Sequence, residues 1–412
     1  MREAFRLGAK QAARLIERGE LSAEALIASC RERIAEREPA VKAWTHLATE
    51  CPAAKSPRAP LFGVPVGVKD VFDTHDMPTE YGSPIYAGYR PRADAAAVAL
   101  TRRAGGTIMG KTVTAEFATF VPRGTRNPLD PSRTPGGSSS GSAAAVADFM
   151  VPLAFGTQTA GSLIRPASYC GIFAYKPTYN TLARAGLKPG ADSLDTVGVY
   201  GRSVEDCAFF AAALTNRPEL EARLERPPRV AVCRTYEWER VQPEMRNALD
   251  DVHRALHADE FELPAAFRGL RESHTAILWY EIARSLADEF TRSPDKLDPS
   301  LRQRCADGFA LDPRDYVRAQ AHAAGCRARL AAALGDYDVL IAPAATGEAP
   351  KGLASTGDVA MNVVWTLLHT PCVAVPAAKA PSGMPLGMQV IGRVGDDART
   401  LACAAWIAER LA

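Results

Sequence analysis

The chain has 412 residues, enough for one large domain or two and for a sizeable buried core. Its 49 Lys and Arg stand against 47 Asp and Glu, a formal charge of +2 with no long run of like charges, so nothing electrostatic asks for nucleic acid or an anionic membrane. No apolar run reaches the roughly 18 residues of a membrane span, and the nine cysteines lack any Cys-x-x-Cys pair, which reads as buried thiols of a reducing compartment.

The opening residues carry charges through their first turns and lack the apolar core of a secretory leader, so a cytoplasmic protein is expected. Apolar positions recur at helical spacing over about residues 3–36, with Ser22 placed to cap the second helix of a pair. Residues 61–70 read as a short buried strand, interrupted by Gly and Pro, that carries Lys69 at its end into the interior. Residues 94–104 are Ala-rich and helical, Gly105-Gly106 stops them, and 107–111 form the next strand. After Cys207 the character changes: 229–234 is a strand, and 243–334 is polar, helical and rich in Arg, Asp and Ala. Strand-like segments return at 339–343, 372–376 and 386–392, and a helix from Asp397 closes the chain. The expectation is one α/β domain over 1–412, a mixed twisted sheet covered by helices on both faces. Its catalytic core spans about 55–210 and 336–412, with a peripheral, mainly helical section over about 240–335 that is not a separate functional module.

Two motifs are set aside. Gly105-Gly-Thr-Ile-Met-Gly110-Lys111-Thr112 matches the phosphate-loop pattern, but that loop needs a strand leading in and a helix leading out, and here a helix enters and a strand follows. His253 and His257 stand four apart on a helix with no acidic third ligand at a recognised spacing, so no metal is assigned.

The Gly/Ser segments carry the chemistry. Thr134-Pro-Gly-Gly-Ser138-Ser139-Ser140-Gly141-Ser142 runs straight into an Ala-rich helix, whose unpaired N-terminal amides favour negative charge. Gly156-Thr157-Gln158-Thr159-Ala160-Gly161-Ser162 presents further amides on residues too small to cover them. A serine nucleophile with a backbone oxyanion site needs such turns, and a buried lysine serves as base once its pKa falls from roughly 10.4 toward 7–8.

These residues resemble the amidase-signature family of serine hydrolases. The resemblance runs through Gly63-Val-Pro-Val-Gly-Val-Lys69-Asp, Pro135-Gly-Gly-Ser-Ser-Ser-Gly-Ser, Gly156-Thr-Gln-Thr-Ala-Gly-Ser162, Arg165-Pro-Ala-Ser-Tyr-Cys170-Gly and Lys176-Pro-Thr, and on to Pro371-Cys-Val-Ala-Val-Pro and Gly387-Met-Gln-Val-Ile-Gly. It implies an amidase that cleaves the C–N bond of a small carboxylic amide through an acyl-enzyme, with Ser162 as nucleophile, Ser138 as bridging serine and Lys69 as base. The family separation of 24 residues between the two serines selects Ser138 over Ser139 and Ser140. The resemblance further implies a cis peptide at Gly137-Ser138, oxyanion donors in the backbone N–H groups of Thr159, Ala160, Gly161 and Ser162, and neither metal nor cofactor.

Two departures bear on substrate. Many relatives have Asp at Gln158 and carry Arg two residues after the nucleophile, whereas Arg165 stands three after Ser162. This form resembles the bacterial malonamidase branch, in which the arginine holds a substrate carboxylate; a buried structural ion pair is the other reading of Arg165. Thr157 either joins the serine network or satisfies its own turn, and Asp195 reads as structural. The expected partners are a small-molecule amide, malonamate-like, and at most a second copy of the chain, with no nucleic acid and no membrane. The alternatives are the catalytic subunit of a tRNA-dependent amidotransferase, which hands ammonia to a partner protein, and a catalytically silent binding protein on the same scaffold.

Overall fold

Short runs of Val, Ile, Ala and Phe, bounded by Gly and Pro, supply the strands of one sheet. In chain order they are β1 (Trp44–Leu47), β2 (Pro65–Lys69), β3 (Thr107–Thr112), β4 (Leu153–Gln158), β5 (Phe173–Lys176), β6 (Thr196–Gly201), β7 (Val230–Cys233), β8 (Asp259–Phe261), β9 (Val339–Pro343), β10 (Cys372–Lys379) and β11 (Pro385–Ile391). The computed structural model describes residues 3–51 and 59–412; Met1, Arg2 and the expected start of the core near residue 55 lie outside them.

The α-helices are α1 (Ala9–Glu17), α2 (Ala23–Val41), α3 (Ala96–Arg103), α4 (Ser140–Ala147), α5 (Ile164–Cys170), α6 (Val204–Thr215) and α7 (Pro243–Leu256), then α8 (Leu270–Ser285), α9 (Ala287–Arg292), α10 (Pro299–Ala310), α11 (Pro313–Ala333), α12 (Ala360–Leu367) and α13 (Asp397–Leu411). Their starts carry local signals. Ser22 Oγ accepts the Ala25 N–H at 3.1 Å before α2, and Asp298 and Asp312, each followed by Pro, cap α10 and α11.

The sheet runs β1-β3-β2-β4-β6-β5-β10-β11-β9-β7-β8. It is mixed: β2 lies parallel to β3 and β4, and β7 to β8 and β9, while the remaining pairs are antiparallel. Strands β2, β4, β6, β9 and β11 are buried at every position, so both faces of the sheet are covered. The expected α/β domain with a covered mixed sheet is what forms. The strand expected over 61–70 is shorter, because Phe62 and Gly63 adopt φ of 46° and 84° and turn the chain before Pro65. The chain leaves β2 for β3 on one side and later returns to β4 on the other, and such a switch point opens a crevice at the carboxyl ends of the strands. Lys69 is the last residue of β2, at that crevice. Among the described residues no helix is long and apolar enough to cross a membrane, and all nine cysteines are free.

Candidate active site

The loop before α4 is anchored from both neighbours of β2. The Ser138 carbonyl accepts the Ala115 N–H at 3.0 Å and the Val113 carbonyl accepts that of Gly141 at 2.9 Å, just beyond β3. On the other side Ser142 Oγ donates to the Phe155 carbonyl at 2.7 Å, and Ser139 Oγ takes the Thr157 N–H at 3.2 Å along β4. Ser138 therefore sits over the end of β2, where Lys69 Nζ donates to Ser138 Oγ at 2.8 Å and to Thr157 Oγ1 at 2.6 Å. Thr157 thus joins the serine network. The Gly137-Ser138 peptide is cis. A Cβ on Gly137 would lie 2.6 Å from Thr356 Cγ2, so only glycine fits this approach.

Lys69 is wholly buried, and among the described residues no carboxylate pairs with its Nζ. Burial pulls its pKa down to about 7, with the Asp195 carboxylate acting in the opposite direction. A neutral amine at physiological pH accepts a proton, which is what a base at this position requires. Asp195 accepts the Thr159 hydroxyl at 2.6 Å and the Gly190 N–H at 2.7 Å, and burial raises its own pKa. It therefore ties the turn that follows β4 while lying within electrostatic reach of Lys69.

That turn, residues 159–163, ends at α5, and Gln158 organises the junction. Its Oε1 accepts the Leu163 and Ile164 N–H groups at 3.1 and 3.0 Å, and its Nε2 donates to Thr366 Oγ1 at 2.9 Å. The side-chain amide at this position thus serves the start of a helix, whose orphan N–H groups need acceptors. Every carbonyl from Thr159 to Ser162 is engaged: by His274 Nε2 at 2.9 Å, Thr366 Oγ1 at 2.7 Å, the Arg165 N–H at 3.2 Å, and the Ser139 N–H at 3.4 Å. The four amides of the same residues donate to no protein acceptor among the described residues. A Cβ on Gly161 would lie 2.5 Å from Asn362 Oδ1, so the turn is pressed against α12.

Ser162, 7% exposed, lines a cavity of about 350 Å³ together with Thr159, Ala160, Arg165 and His274. Helices α8 and α10, in the section expected to be peripheral, form part of its wall through Arg271, Trp279 and Arg304. Arg165 is 1% exposed. Its Nη2 donates to the Gly137 carbonyl at 2.6 Å and to Thr356 Oγ1 at 3.3 Å, while Nε and Nη1 have no protein partner among the described residues. The structural ion pair is absent among the described residues: Asp358, the acidic residue of the lining, pairs with Arg240 at 2.9 Å. Burial lowers the Arg165 pKa, and unfilled donors on a buried guanidinium are the complement of an anion.

The site thus unites Lys69, Gly137, Ser138, Thr157, Gln158, the 159–162 turn and Arg165, all of them expected from the sequence. His274, Thr366, Asn362 and the tie through Asp195 are not legible there. They reach the turn from distant segments and carry no local motif.

A family model described as Amidase matches residues 14–401. A glutamyl-tRNA(Gln) amidotransferase subunit from Roseiflexus castenholzii is 33% identical over 458 aligned positions, covering 95% of this chain and 93% of the relative. A crystal structure of an amidase superposes with a TM-score of 0.88 at 30% identity, covering 98% of this chain and 100% of that one. The crystal structure of the corresponding amidotransferase subunit from Thermotoga maritima does so with a TM-score of 0.81 at 26% identity, covering 97% and 94%. None of these relatives is named a malonamidase, and the likeness to that branch rests on the motif form of Gln158 and Arg165 and on chain length. The expectation of a substrate and at most a second copy of the chain as partners is corrected here: the two amidotransferase relatives are by name subunits. A balanced charge could not reveal this, because protein–protein interfaces have much the same bulk composition as other surface. With the family model spanning nearly the whole sequence and the fold shared with amidases, the chain belongs to the amidase family.

Proposed function

We propose that this chain cleaves a small primary carboxamide bearing a carboxylate, through an acyl-enzyme on Ser162, and that it does so as the ammonia-releasing member of an amidotransferase-type assembly. The observation that carries the chemistry is the turn of 159–162, whose amides are all unengaged beside a serine facing a cavity, with a buried Lys69–Ser138 contact behind it. In this reading Ser162 Oγ attacks the amide carbon, and its proton passes through Ser138 to neutral Lys69. The oxyanion is received by the turn's amides. The C–N bond then breaks, the proton returns through Ser138 to the leaving nitrogen, and ammonia departs. Water attacks the acyl-enzyme with the same proton relay and releases the acid.

The relatives favour the amidotransferase setting over a chain that works alone. Isolated from its own cells at native levels, the chain is expected to elute together with a second polypeptide in fixed proportion. Elution as the bare chain would remove that part of the reading.

The free Nε and Nη1 of Arg165 support the carboxylate. Glutamine and a malonamate-like monoamide both satisfy this chemistry, and the form of the Gln158/Arg165 motif favours the shorter acid. A charge-assisted contact of roughly 1.5–3 kcal/mol at Arg165 corresponds to a loss of about 10–150-fold in kcat/KM for the carboxylated amide on Arg165→Ala. A neutral amide of equal length should lose much less. Ammonia release across such matched pairs is the measurement, and equal losses for both members would refute carboxylate recognition.

A further inference from the structure

The peptide groups of the turn after β4 are divided: their carbonyls are held by protein donors and their amides are open. A trans peptide is planar, so its N–H points opposite to the carbonyl of the preceding residue. The donor that holds the Thr159 carbonyl therefore aims the Ala160 N–H, and the donor on the Ala160 carbonyl aims that of Gly161. These donors are His274 Nε2, at 2.9 Å, and Thr366 Oγ1, at 2.7 Å. Thr366 stands on α12 among fully buried residues and also serves Gln158. His274 comes from α8, is 2% exposed, and lines the cavity beside Ser162.

A carbonyl only accepts, so the imidazole proton must lie on Nε2. Burial pulls the His274 pKa down to about 4, which keeps the ring neutral in this one tautomer across the physiological range. A ring so buried, spent on a single carbonyl of the turn, does no other hydrogen bonding with the protein among the described residues.

We propose that His274 is a positioning residue for catalysis, which by donating its Nε2–H to the Thr159 carbonyl fixes the direction of the Ala160 N–H toward the reacting oxygen. The inference rests on the proposed chemistry at Ser162. It assigns a catalytic duty to the helical section over 240–335, because α8 delivers the donor. The contribution belongs to the stage at which the oxygen becomes negative, since an amide aimed at the oxyanion gains most when charge develops there. Loss of the donor should then lower rate constants and leave binding nearly unchanged.

The test compares the parent with His274→Gln, whose amide reaches to donate in place of Nε2, and His274→Leu, which fills the volume without a donor. His274→Asn, too short to reach the Thr159 carbonyl, guards against a poorly folding leucine variant. The probe is an alkyl fluorophosphonate, whose phosphoryl oxygen takes up charge as the serine attacks, so no substrate needs to be known. Removing one oxyanion donor outright costs about 10²–10³-fold in kcat, and misdirecting one should cost about 10–100-fold. The leucine and asparagine variants are expected to show that loss in the limiting rate of phosphonylation, with half-saturation within about threefold of the parent, and glutamine should restore the rate to within about threefold. Parent-like rates in the leucine and asparagine variants would overturn the inference. So would parallel falls of rate and melting temperature in all three variants, which mark a structural histidine. A parent protein that does not react at all would instead remove the Ser162 chemistry, and this inference with it.

Discussion

Ser162→Ala is expected to lower kcat for ammonia release by at least about 10⁴-fold while leaving the fold in place, as the loss of a nucleophile does in serine hydrolases. The turn explains why stability should survive. Its carbonyls are held by backbone and side-chain donors, and Gln158 fixes its exit into α5, none of which needs the serine hydroxyl. A melting temperature within about 2 °C of the parent would fit the loss of one hydroxyl at the cavity wall, a change of a few tenths of a kcal/mol. Substantial turnover in a folded Ser162→Ala protein would sink the mechanism.

The second large effect concerns Lys69. Lys69→Met should lower kcat at pH 7 by at least about 10³-fold, since the serine proton then has no base to reach. In the parent, only the neutral amine accepts that proton. With a pKa of about 7, kcat/KM should rise with pH through that value and level off above it. The stability profile has its own sign. The folded-state pKa lies below the value of about 10.5 for a free lysine, so between about 7 and 10.5 the unfolded chain binds more protons and stability rises with pH across that window. Below about 7 the full cost of the buried ammonium is present. Lys69→Met removes the slope and should stabilise the protein at pH 7 by about 1–4 kcal/mol, the lost hydrogen bonds to Ser138 and Thr157 offsetting part of the gain. Urea melts at pH 7 and pH 10 measure this. A parent whose stability does not change across that interval, or a flat activity profile around pH 7, would contradict a neutral lysine base.

Legibility in the sequence followed how local each signal is. Lys69 is readable because an apolar segment broken by Gly and Pro leads directly to it, and α4 because an alanine run follows the Gly/Ser loop. The closing helix starts at Asp397, as its polar N-terminal residue indicates. Strand β1 escapes notice because its four residues, Trp-Thr-His-Leu, follow a long helix without a turn signal and pair only with β3 at one edge of the sheet. His274 is 115 residues from Thr159, and Thr366 is 206 from Ala160. No spacing rule links such distances, and each residue looks like an ordinary member of its helix. The 240–335 section reads as peripheral from its polar composition, yet one face of α8 and the neighbouring part of α10 turn toward the cavity. Composition averages over a helix, whereas a site uses single side chains. Arg165 shows the reverse case: its position after Ser162 marks it out, but only the structure separates an ion pair from a guanidinium with open donors.

A covalent intermediate on Ser162, supported by Lys69 and Ser138, is the centre of the proposed chemistry. Peptide mass mapping after treatment with an alkyl fluorophosphonate tests it most directly. A single adduct is expected on the peptide that contains Ser162, missing in Ser162→Ala and formed far more slowly in Lys69→Met. An adduct on Ser138 or elsewhere, or an untouched protein that still releases ammonia from a carboxamide, would contradict it.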